Sequence, residues 1–224
     1  MDTLVVITGL LGPLHVENLI ALYKYTPNKL VSTWNDQPPE LIKKLVENGF
    51  YVLGNKYPEL RTSANLQIVC AHNGIAWAIN KGFKYVCRMR TDVFPLNFEL
   101  FLEKTEAIYT EDLMVICGKE TSFVYFLDII VAGPVDKMLK FFGTLQPTGD
   151  TRIPEKFLLE TYAGPGRPIV TREDVKSVFK TCLDVCKRES IEFLWVRLPG
   201  WYVGKRSNPF MRVISEYCAE DTIF

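Results

Sequence analysis

Between residues 3 and 92 the apolar positions switch repeatedly between two periods. Residues 3–11 (TLVVITGLL) are a β-branched run holding glycine near its end, and read as a buried strand. Gly12-Pro13 breaks that run, and residues 14–25 then carry Val16, Leu19, Ile20 and Tyr23 at helical spacing. Pro27-Asn28 punctuates, and residues 29–34 (KLVSTW) make a second strand. Pro38-Pro39 opens a second helix with Leu41, Leu45 and Val46 on one face, and Gly49 closes it. A third strand covers 50–53, a third helix covers 65–80, and a fourth strand covers 84–89, leading into Arg90-Thr91-Asp92. Strand and helix in strict alternation predict a mostly parallel sheet flanked by helices.

The second half is less regular. Strands are expected at 113–117 and 193–198, with one or two more over 123–131. Helices are expected from Gly133-Pro134 to Phe142, from Pro154-Glu155 to Tyr162, and over the charged stretch 172–188. Residues 146–153 (QPTGDTRI) read as a loop. No linker divides the 224 residues, so one domain is expected, with a nucleotide-sugar-binding half at about 1–95 and an acceptor-side half at about 96–224.

Composition narrows the function. Lys+Arg and Asp+Glu are equal at 26 each, so the basic excess of a nucleic-acid or anionic-membrane binder is missing. No stretch is apolar enough to span a bilayer. Most of the six cysteines sit inside apolar runs, and Cys182 and Cys186 have no second pair at zinc spacing. These features suit a reducing, cytoplasmic setting.

In an open parallel sheet, ligands bind beyond the carboxyl ends of the strands. The residues there are Thr8 and Gly9, then Thr33, Trp34 and Asp36, then Arg88, Arg90 and Asp92. A ring can stack on a base, arginines can fork onto phosphate oxygens, and a carboxylate can hold a divalent cation. Asp92 reads equally as a turn former paired with Arg90. Arg88 and Arg90 share one face of their strand, which costs energy unless an anion lies between them or the face is solvated.

The ordered pieces Gly12-Pro13-Leu14, Ser32-Thr33-Trp34, Asn65-Leu66-Gln67-Ile68, Gly74-Ile75, Arg88-Met89-Arg90-Thr91-Asp92, Asp128 to Gly133, Pro154-Glu155 with Tyr162, and Phe193 to Arg197 resemble a known family. It is that of the WavE-type lipopolysaccharide-synthesis glycosyltransferases and related proteins of large DNA viruses. The resemblance implies a GT-A-like fold and a nucleotide-diphosphate sugar donor of the UDP, GDP or dTDP type. It also implies a glycan or glycoconjugate acceptor, taking a hexosyl, deoxyhexosyl or pentosyl unit. Asp92 would then stand for the family's Asp-x-Asp metal motif and hold Mn2+ or Mg2+. Here position 90 is arginine, so either Asp92 binds the cation alone or the arginines neutralise the diphosphate without one.

An inverting transfer needs a carboxylate base. Asp128, in an otherwise apolar strand, and Glu155, opening a helix, are the candidates. A buried structural carboxylate and a helix N-terminal acid are the respective alternatives. Asn65 and Gln67 are candidates for donor hydrogen bonds, and His15 and His72 are expected at the surface or as caps. Arg197, Lys205 and Arg206 are candidates to close on the diphosphate, and Trp201 and Tyr202 to stack on the acceptor. The competing functions are a nucleotidyltransferase, which would need a glycine-rich phosphate loop with lysine near the first strand, and a non-catalytic nucleotide-sugar-binding domain.

Overall fold

The computed structural model describes residues 2–95, 102, 113–117, 126–164, 180–181, 193–197 and 210–213. The first half follows the predicted alternation: β1 (Thr3–Thr8), α1 (Pro13–Leu22), β2 (Lys29–Trp34), α2 (Pro39–Glu47), β3 (Tyr51–Asn55), α3 (Ser63–Asn80) and β4 (Tyr85–Arg90). Then come β5 (Val93–Pro95), β6 (Met114–Cys117), β7 (Phe126–Pro134), α4 (Val135–Phe141), α5 (Pro154–Ala163), β8 (Lys180–Thr181), β9 (Phe193–Arg197) and β10 (Phe210–Val213). The main sheet has the order β3-β2-β1-β4-β7-β6-β8, and a small sheet has the order β10-β9-β5. Strands β3, β2, β1 and β4 run parallel, and β7 is antiparallel to β4 and β6. This is the mostly parallel, helix-flanked α/β fold expected.

Three differences have physical causes. β1 stops at Thr8 rather than Leu11, because Gly9 adopts φ 140 and turns the chain out of the sheet. Within the stretch expected as a helix at 172–188, Lys180 and Thr181 instead pair with Met114 and Val115 of β6, a non-local partner that helical spacing cannot register. The rest of that stretch lies outside the described residues. β5 and β10, unexpected from the sequence, are short strands that bracket β9.

β1 is buried along its whole length, as a central parallel strand should be. On one face Val5, Ile7, Val31, Cys87 and Met89 pack with Val16, Leu19 and Tyr23 of α1 and Leu41 and Leu45 of α2. On the other, Leu4, Val6, Leu30, Val86 and Val131 pack with Ile68, Ala71 and Ile75 of α3 and with residues of α4 and α5. α3 approaches the sheet closely through Gly74, where a Cβ would stand 2.6 Å from Val6 Cγ1 and 3.3 Å from Ser32 Cβ. Among the described residues, no helix is long and apolar enough to cross a membrane.

The start of α3 is tied to the loop before α5. Asn65 Oδ1 accepts from Gln146 N at 2.6 Å, and its Nδ2 donates to Gln146 O at 3.1 Å and Leu60 O at 3.0 Å. Gln146 Nε2 donates to Arg152 O at 2.8 Å. Arg152 pairs with Asp150 and, at 3.0 Å, with Glu160 on α5. The Arg152 side chain and amide beside it hold the Asp150 carboxyl down at about 2.

Two outcomes follow. Gly74→Ala should lower the unfolding free energy by about 1–3 kcal/mol in urea denaturation, since helix and sheet must separate. The depressed Asp150 pKa gives stability that is complete above the unfolded carboxyl value of about 3.9 and lost as pH falls through about 2. Amide exchange around Arg152 should therefore rise between pH 4 and 2, and an Asp150→Asn protein should lose that pH dependence.

Candidate functional site

In the strand order, β1, β2 and β3 build outward one way and β4 lies on the other side of β1. The order thus reverses between β1 and β4, and a crevice at the carboxyl edge there is where open α/β sheets take ligands. The last pairing at that edge is Thr8 opposite Arg90.

Gly9 carries the turn out of β1. Its φ of 140 favours glycine, and a Cβ there would lie 2.4 Å from Thr91 Oγ1. Its carbonyl accepts from Thr33 Oγ1 at 2.7 Å, and Thr91 N donates to Thr8 O at 3.0 Å. Thr8, Gly9, Thr33 and Thr91 therefore form one knot across β2, β1 and β4. Thr91 Oγ1 is buried with no hydrogen-bond partner, so this knot holds one unsatisfied polar atom at the carboxyl edge.

Arg90 and Asp92 close the other side. Arg90 Nε donates to Asp92 Oδ1 and its Nη2 to Asp92 Oδ2, both at 2.8 Å, in a two-pronged fork. The Asp92 side chain is 1% exposed and that of Arg90 15%. The pairing that the sequence left open is the one formed. With both oxygens spanned by one guanidinium, Asp92 meets a cation beside a fixed positive charge. Among the described residues no three His, Cys, Asp or Glu side chains gather. A Mn2+ or Mg2+ ion can sit on one carboxylate with phosphate oxygens and waters, but with both Asp92 oxygens held by the Arg90 guanidinium the pair as arranged does not fit one.

Arg88 shares the face of Arg90 but lies deep. Its Nε donates to Thr8 Oγ1 at 2.9 Å, and its guanidinium carbon stands 5.5 Å from the Phe142 ring centroid. Thr8 Oγ1 in turn donates to Met89 O at 3.2 Å. Arg88 is fully buried, tied to the end of β1 and packed beside Phe142. Asn65, buried and committed to Gln146 and Leu60, is likewise an anchor rather than an exposed donor amide. Gln67 is half-buried on α3, with Oε1 unpartnered. His15 is buried with Nδ1 3.4 Å from Leu10 O, not on the surface as expected, because α1 packs that face against Phe94.

Beyond β2, Trp34 is 4% exposed and stacked under Tyr57, with ring centroids 4.3 Å apart. Asp36 is exposed, and its Oδ1 accepts from Tyr57 Oη at 3.1 Å and Gln37 Nε2 at 3.2 Å. Gln37 Oε1 accepts from Leu11 N at 2.7 Å, which ties the β1–α1 loop to the end of β2. Tyr57, Gln37, Arg61 and Thr91 were not singled out from the sequence. An aromatic residue two positions past the end of a strand, at the carboxyl edge, was the available signal for Tyr57.

The two candidate bases lie toward the same edge. Because β7 is antiparallel to β4 and Ile130 pairs with Met89, Asp128 sits on the part of β7 running past the end of β4. The β6–β7 register also breaks there, jumping from Val115↔Val131 to Ile116↔Leu127. Such irregularities recur beside active sites. Glu155 is half-buried in the first turn of α5, next to the loop that Asn65 fixes to the start of α3. Lys205, Arg206, Trp201 and Tyr202 lie outside the described residues, as does the side chain of Arg197.

No protein-family model matches the chain, and no curated protein matches it by sequence. Solved structures of similar fold include 4-diphosphocytidyl-2C-methyl-D-erythritol synthase from Anaerococcus prevotii, 12% identical at a TM-score of 0.49, covering 78% of this chain and 93% of that one. Mannose-1-phosphate geranyltransferase from Thermus thermophilus is 14% identical at 0.42, covering 81% and 73%. HddC from Yersinia pseudotuberculosis, complexed with GMP-PN, is 10% identical at 0.41, covering 62% and 79%. At these identities and scores the likeness concerns the arrangement of strands and helices, and carries nothing about activity.

Gly9→Ala should lower the unfolding free energy by about 1–3 kcal/mol through strain and overlap with Thr91. Adding Thr91→Ala should recover the overlap part and leave the backbone part. A double-mutant cycle in urea measures the coupling.

Proposed function

We propose that the chain is a glycosyltransferase moving a sugar from a nucleotide-diphosphate donor to a glycan or glycoconjugate hydroxyl. The Arg90–Asp92 fork carries this reading: a partly exposed guanidinium, held in place by a buried carboxylate, stands at the carboxyl edge where strand order reverses. In this reading Asp92 is a positioning residue, and Arg90 receives the diphosphate. The acceptor oxygen attacks the anomeric carbon while the bond from that carbon to the diphosphate oxygen breaks. The electron pair leaves with the nucleoside diphosphate, whose growing charge Arg90 stabilises. The acceptor proton passes to Asp128 or Glu155 in an inverting reaction. Residues 1–95 form the donor half and 96–224 the acceptor half of one domain.

The resemblance to WavE-type transferases supports the same reading. So does the state of the loop leaving β1. A nucleotidyltransferase would offer open amides and a lysine there, whereas the Leu11 amide is already taken by Gln37 and Pro13 has none to give. A reducing, cytoplasmic setting goes with Cys70 and Cys87, free and buried thiols pushed up to about 12 by desolvation.

The test is calorimetry with a panel of UDP-, GDP- and dTDP-sugars, with and without Mn2+, followed by product analysis. At least one donor should bind, and a chelator should leave its affinity unchanged. Arg90→Ala should weaken that donor roughly ten- to a hundredfold, the loss of a charge-assisted fork. Full transfer by a folded Asp92→Ala protein would refute the role of the pair. Pyrophosphate release from a nucleoside triphosphate and a sugar phosphate would show nucleotidyl transfer instead. Failure to bind any donor would leave a non-catalytic domain.

A further inference from the structure

Past the carboxyl ends of β2 and β3, three side chains lie one on another. The indole of Trp34 is innermost, and the Tyr57 ring stacks on it at 4.3 Å with an interplanar angle of 16°. The guanidinium carbon of Arg61 lies 4.2 Å from the centroid of the same tyrosine ring. Two groups that close to one ring cannot share a face, so Tyr57 is sandwiched between them. Its hydroxyl donates to Asp36 Oδ1, which Gln37 Nε2 also holds, and Gln37 reaches on to the Leu11 amide. Desolvation and the bond to Asp36 push the Tyr57 phenol up, so it remains a donor. The inner two rings and the carboxylate are thus fixed to the loop that leaves β1. Arg61 is the exposed member of the stack. A cation over an exposed ring is held weakly, and a nucleobase on a ring face is held more strongly.

We propose that Tyr57 is the platform for the donor's nucleobase and Arg61 its exchangeable cover, the base taking the guanidinium's place on the outer face of the ring. The proposal rests on the nucleotide-sugar reading above and adds a class of base. The Asp36 carboxylate at the edge of the platform only accepts hydrogen bonds. It therefore favours bases with a ring N–H on their pairing edge, namely uracil, thymine and guanine. It disfavours adenine and cytosine, whose amino group can donate but whose adjacent bare ring nitrogen would face a carboxylate oxygen.

The experiment is calorimetry of the full chain with UDP, dTDP, GDP, ADP and CDP. One of the first three should bind tightest. Tyr57→Leu should weaken it roughly five- to a hundredfold, the range for losing one base–aromatic stack. Tyr57→Phe and Tyr57→Trp keep a ring over Trp34 and should retain affinity, and they carry the test if Tyr57→Leu does not fold. Arg61→Ala should bind at least as tightly as the natural chain. Wild-type affinity in Tyr57→Leu, while sugar transfer continues, overturns the platform and leaves the glycosyltransferase reading standing. Tyr57→Phe or Tyr57→Trp weakened as much as expected for Tyr57→Leu also overturns it. Arg61→Ala weakened as much as Tyr57→Leu overturns the exchange. ADP or CDP binding tightest overturns the base class. Absence of binding by every diphosphate overturns both readings together.

Discussion

The chain leaves β1 through Gly9 because nothing larger fits between that backbone and Thr91. Most of the site hangs on this close approach. It brings the Gly9 carbonyl to Thr33 on one side and the Thr91 amide to Thr8 on the other, so the ends of β2, β1 and β4 are stitched into one rim. Because Thr91 is fixed, its neighbours Arg90 and Asp92 are fixed with it, and their fork forms across a two-residue span. The Thr91 hydroxyl is left buried without a partner, a small cost borne at the end of the sheet.

Charge is arranged around that rim in two tiers. Arg88 lies underneath, its cation enclosed by Thr8 and Phe142, and serves the packing of β4. Arg90 lies above it, reaching solvent but oriented by Asp92. Separating the two guanidiniums in depth relieves the repulsion that two arginines on one strand face would otherwise impose. The carboxylate is spent on holding an arginine.

How much of this was legible in the sequence depends on the distance over which each feature is decided. The first four strands and three helices were readable because glycine and proline bound each run and the apolar spacing is local. The carboxyl-edge residues followed from that alternation. What failed to show was decided by partners far along the chain. Arg88 and Arg90 look alike in sequence, and partners far along the chain, Thr8 and Phe142, mark which one is buried. Asn65 looked like a donor amide until Gln146 came back to meet it. Lys180 and Thr181 follow helical spacing yet pair with β6. Trp34 was the obvious aromatic residue, but Tyr57, in the connection after β3, covers it.

Among the described strands of the main sheet β7 is the reversed one, and this has a consequence for how such a protein can diversify. In a parallel strand the end reaches the ligand edge, and the chain that follows is committed to the next crossover. β7 instead begins at that edge and runs from it back into the core. The register between Met89 and Ile130, on which the core depends, is set by the pairing of β7 with β4. Change where β7 begins can therefore leave the rim built on Gly9 intact, since the bonds of that rim join Thr8, Gly9, Thr33 and Thr91.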